Sequence, residues 1–79
     1  MRLDKYLKVS RLIKRRTVAK EACDEGRVLV NGKVAKAGTD VQVGDVIELQ
    51  LGTRTVKVMV TQVQEHVLKE NAGEMYKML

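Results

Sequence analysis

Apolar residues change their spacing once along this chain, at Gly26. Before it they recur three and four apart. Leu3 and Leu7 stack at i, i+4, and Val18, Ala19, Ala22 and Cys23 form one helical stripe. After it they alternate. "RVLVNGKVAK" is two short apolar segments around Asn31-Gly32, the pair best suited to positive φ at both centres of a type I′ turn, so a hairpin is expected. Gly44-Asp45 turns into "VIELQL", where Ile47, Leu49 and Leu51 alternate with Glu48 and Gln50. Gly52-Thr53 turns into "TVKVMVTQV", where Val56, Val58 and Val60 alternate with Lys57 and Thr61, with Met59 as the exception. Two helices followed by a small twisted, mainly antiparallel sheet make an α+β fold. The stretch "KENAGEMYKML" has weak helical signal and contains Gly73, which predicts a short tail or frayed helix over 67–79, outside a domain of residues 1–66.

Charge decides whether residues 2–25 are one helix or two. In one continuous helix Arg2, Lys5, Lys8, Arg11 and Lys14, each three apart, would drift about 60° per step and scatter around the cylinder. A break between Val9 and Arg16 gathers the cations on a first helix and a connector. Thr17 is then the expected N-cap of the second helix, accepting from the amide of Ala19 or Lys20, and Gly26 supplies its left-handed C-terminal position.

Composition narrows the class. A chain of 79 residues buries only about 60% of its unfolded surface, enough for one thin core and one domain. Apolar runs such as Val58-Met59-Val60 are far too short to span a bilayer, and charges interrupt the first ten residues where a secretory signal needs a continuous apolar run. The lone Cys23 fits a reducing compartment and reads as a small helix residue, so a cytoplasmic protein without a membrane partner is expected. Residues 1–20 hold eight Lys or Arg and one acid, net +7, whereas residues 21–79 hold seven and nine, net −2. A cationic block on a chain with no anchor points to nucleic acid.

The chemistry of catalysis is missing. One Cys, one His and scattered acids give no metal site, the glycines sit in turns and cradle no phosphate, and neither Ser10 nor His66 has an orienting partner in view. An enzyme is not expected, and neither is a cofactor. The kind of nucleic acid follows from what the second helix carries. Its polar face would bring Glu21, Asp24 and Glu25 alongside Lys20 into a wall of phosphate, which argues against a groove-reading DNA helix. Single-strand readers stack bases on aromatic platforms, yet there is no Phe, no Trp and two Tyr, neither on a predicted strand. A shape-and-phosphate reader of folded RNA remains. Arg15 and Arg16, beside the positive end of the second helix near Thr17, are the first choice for phosphate contacts. Arg2, Lys5, Arg11, Lys14 and Lys20 are auxiliary contacts. Asp4 either pairs with a neighbouring cation such as Lys8 or accepts from a ribose 2′-hydroxyl, the structural role being favoured.

"RLDKYL" from Arg2, Ser10-Arg11, a second helix ending at Gly26, "VLVNGKV" from Val28 and "GDVIEL" from Gly44 resemble, in that order, the S4 RNA-binding domain. That resemblance implies two helices packed on a small sheet as the RNA-contacting surface. The run "MRLDKYLKVSRLIKRRTVAKEACDEGRV" and the late "EMYKML" are further similar to the RqcP family, stand-alone bacterial relatives of heat-shock protein 15 whose long basic C-terminal extension is missing here. This implies binding to a large ribosomal subunit that retains peptidyl-tRNA, contacts to rRNA and tRNA, and work beside an RqcH-type alanine-tailing factor, with a monomer off the ribosome. The alternative within the binding class is an S4-type protein of another structured RNA, such as an assembly intermediate. The RNA-binding half of a pseudouridine synthase or a synthetase, and an adaptor for an acidic protein, are further rivals; from Met1 to Leu79 no catalytic domain is expected.

Overall fold

The computed structural model describes residues 1–79. Helix α1 spans Leu3–Val9 and α2 spans Arg16–Asp24. The strands are β1 (Val28–Val30), β2 (Lys33–Val34), β3 (Val46–Leu51), β4 (Arg54–Val60) and β5 (Tyr76–Met78), with a 3₁₀ helix over Lys69–Met75 before the last. They form one sheet in the order β2-β1-β3-β4-β5, antiparallel throughout.

Local chemistry accounts for most of these elements. Asn31 and Gly32, at φ 53° and 83°, make the left-handed turn between β1 and β2. Gly26, at φ 75°, ends α2, its amide and that of Arg27 returning to Cys23 and Ala22 carbonyls. Inward positions of the strands, Val28, Ile47, Leu49, Val58 and Val60, meet Leu3, Tyr6, Leu7, Ala19, Ala22 and Cys23 of the helices in one core. Val18 departs from the expected stripe and lies on the exposed side of α2.

The start of α1 is pinned by backbone. The Leu3 and Asp4 amides donate to the carbonyls of Thr39 and Ala37, and the Val41 amide donates to Met1. The break between the helices is pinned by a side chain. Ile13 is buried in the core and its amide donates to Leu7, while the buried Ser10 hydroxyl donates to the same carbonyl.

Two expectations are corrected. The stretch predicted as a tail or frayed helix is part of the fold: its 3₁₀ turns bury Ala72 and Met75, and β5 closes the sheet against β4 through Val58↔Met78 and Val60↔Tyr76. Tyr76 is therefore on a strand after all. The Met75 carbonyl accepts from the Tyr6 hydroxyl at 2.5 Å and from the amides of Thr61 and Gln62, contacts with no local sequence signature. Thr17 is also not the N-cap. Helix α2 begins two residues earlier than a Thr17 cap requires, Arg15 stands at the cap in extended conformation, and no side chain caps the helix.

Candidate nucleic-acid interface

Asp4 organises the entrance to both helices. It lies in the first turn of α1, where its Oδ1 accepts from the Lys5 amide at 2.8 Å, and the residue is only 2% exposed. Arg2 Nε lies 3.2 Å from Oδ1 on one side, and Arg16 Nε lies 3.4 Å from Oδ2 on the other. The expected pairing with Lys8 is replaced by these two arginines, because the start of α2 comes closer to the carboxylate than the next turn of α1. Burial would raise the Asp4 carboxyl. The Arg2 hydrogen bond, the Lys5 amide and the Arg16 charge together outweigh it and hold the group below the usual carboxylate value.

Both guanidiniums stay about half exposed, so each offers its remaining donors to solvent. Arg2, Asp4, Arg16, Thr17 and Lys20 line a shallow depression without a single apolar residue. The first amides of α2, at Arg16, Thr17 and Val18, have neither an intrahelical acceptor nor a side-chain cap. Fixed guanidinium forks beside an uncapped helix N-terminus suit an oxyanion such as phosphate.

The other predicted residues lie around this depression. Arg15 is exposed at the cap position and forms no ion pair. Lys5 pairs instead with Glu65, which lowers the Glu65 carboxyl. Arg11 and Lys14 belong to a separate concavity with Lys8, whose far wall is residues 65–67. Sequence reasoning named Arg11 and Lys14 without seeing that wall, since nothing in the local pattern ties residues 65–67 to the first connector. Glu21, Asp24 and Glu25 lie at the other end of α2, where Glu25 accepts from Arg27. Cys23 is buried on the core side; burial, with the charges of Asp4 and Asp24, pushes its thiol up to about 11, so it stays protonated.

Known proteins resemble this chain. The family described as S4 domain matches residues 1–47. A protein of Halalkalibacterium halodurans named RQC P-site tRNA stabilizing factor is 58% identical over 77 residues, covering 98% of this chain and 88% of that protein. Its namesake in Bacillus subtilis is 52% identical over 79 residues, covering the whole chain and 92% of that protein. Among solved structures, trimeric heat shock protein 15 of Vibrio cholerae superposes with a TM-score of 0.93 at 28% identity, over all of this chain and 81% of that one.

Proposed function

Because this chain belongs to the S4 domain family, among relatives named RQC P-site tRNA stabilizing factors, we propose that it is an RNA-binding factor of ribosome-associated quality control. It binds the large ribosomal subunit that still carries peptidyl-tRNA and contacts both rRNA and tRNA. There it holds the tRNA between elongation steps while an RqcH-type factor brings alanyl-tRNA, so that the stalled chain receives a C-terminal alanine tail. Bond formation belongs to the ribosome. The protein works in the cytoplasm and is a monomer away from the ribosome.

The observation that carries this reading is the depression, lined only by polar and charged residues, in which one buried carboxylate holds Arg2 and Arg16 beside the open end of α2. Free arginines lose rotamer freedom when they grip a phosphate; Asp4 fixes these two beforehand and so lowers the cost of binding. Lys20, one turn along α2, extends the cationic surface, and Thr17 adds a hydroxyl at the rim. Arg15, Arg11, Lys14 and Lys5 flank the depression and engage the backbone further along. Such contacts follow the shape of a folded RNA rather than its sequence.

The test is co-sedimentation of the tagged full chain with ribosomal particles from cells with stalled translation. We expect the protein on large subunits that carry tRNA and its loss from that fraction in Arg16→Ala. Recovery only on assembly intermediates without tRNA would instead assign it to another structured RNA.

A further inference from the structure

We propose that the concavity between the end of α1 and residues 65–67 holds one unstacked RNA nucleotide, gripped at its phosphates by Lys8, Arg11 and Lys14 and stacked at its base by His66. This rests on the RNA reading above and assigns a second site, which shares no lining residue with the depression around Asp4.

Charge is the first argument. Lys8, Arg11 and Lys14 converge on one hollow and none of them forms an ion pair. The one acid in the lining, Glu65, is engaged by Lys5. Three cations gathered beside a single carboxylate that is already paired with Lys5 repel one another, and an external polyanion relieves that repulsion. Backbone geometry points the same way. Arg11 sits at φ 62°, a left-handed conformation disfavoured for a residue with a Cβ, and its amide donates to Lys8 to close the turn that carries it into the hollow.

The remaining lining separates a nucleotide from a bare phosphate. Val9 and Val67 contribute half-buried apolar surface, which an inorganic anion does not use and a base does. His66 is exposed in the loop and bears a flat ring of the kind on which unstacked bases lie. Stacking readout, set aside when only Phe, Trp and Tyr are counted, thus has a platform on a histidine. Residues 65–67 fall outside residues 1–47, the part of the chain matched by the S4 family.

The test uses purified full chain and two fluorescein-labelled RNA hairpins of the same stem, one fully paired and one with a single bulged adenosine, titrated at fixed salt. The wild type is expected to bind the bulged hairpin at least about fivefold more tightly, the low end of what one stacked base contributes. His66→Ala abolishes that preference and leaves affinity for the paired hairpin unchanged, while His66→Phe keeps it. Equal affinities in the wild type, a preference that survives in His66→Ala, or its loss in His66→Phe would overturn the site while leaving RNA binding intact. Binding to neither hairpin would overturn the RNA reading and this inference with it.

Discussion

Asp4 bears on stability and on the proposed binding surface, so its environment can be read in two ways. Its lowered carboxyl makes a contribution to stability that is complete above the ordinary value of 3.8 and decays as pH falls through the lower folded value. Asp4→Asn is expected to cost about 1 kcal/mol at neutral pH, a modest figure because both arginine partners are half exposed. It should also flatten the acid limb, and urea unfolding at several pH values checks both effects. The same geometry separates two neighbouring arginines. Arg15→Ala removes an exposed, unpaired cation, so RNA affinity should fall with no change in melting temperature. Arg16→Ala should abolish most large-subunit binding with the melting temperature nearly unchanged, and it should also raise the Asp4 carboxyl toward 3.8, which carboxyl-resolved NMR titration would detect. The identity of both arginines as candidates follows from their place before a helix in the sequence. Their different roles do not, because the Asp4 to Arg16 contact spans a connector whose path depends on Ile13 entering the core.

Among the elements, the turns were the most legible, since their conformations are fixed by one or two residues. Gly32 has φ 83° and nothing within 4 Å of an added Cβ, so Gly32→Ala measures backbone strain alone and should cost about 1–2 kcal/mol. Gly38 is equally open but not left-handed, and Gly38→Ala should be neutral or slightly stabilising. Thermal melts of the two variants would separate these cases, each kcal/mol moving the midpoint by about 4–8 °C in a domain of this size. Helix α2 was legible except at its start. Thr17 resembles a cap in a list of residue types, but Arg15 occupies the cap position, and the uncapped amides that result belong to the candidate site. The acids at the opposite end of α2 oppose its dipole, a small cost that keeps negative charge away from the uncapped end.

For the molecule as a whole, the segment 69–78 completes the core and the sheet. Met75 is fully buried, and Met75→Ala should cost about 2–5 kcal/mol, much of the total for a small domain. Urea denaturation would measure it, and an unchanged midpoint would contradict the account of β5 and the 3₁₀ turns as core. The elements within residues 1–34 and 46–60, apart from the start of α2, were readable in advance because they follow from local rules: helical stacking, an Asn-Gly turn and near-strict alternation. The S4 arrangement of two helices packed on a sheet was readable through the resemblance of the sequence to that family. So was the concentration of positive charge in the first 20 residues, which the distribution of Lys and Arg carries and which points to nucleic acid. The closing strand, the sharing of Asp4 by two arginines and the hollow between Arg11 and His66 were not. Each joins residues far apart in the chain, and such contacts form only when burial in a common core brings their elements together.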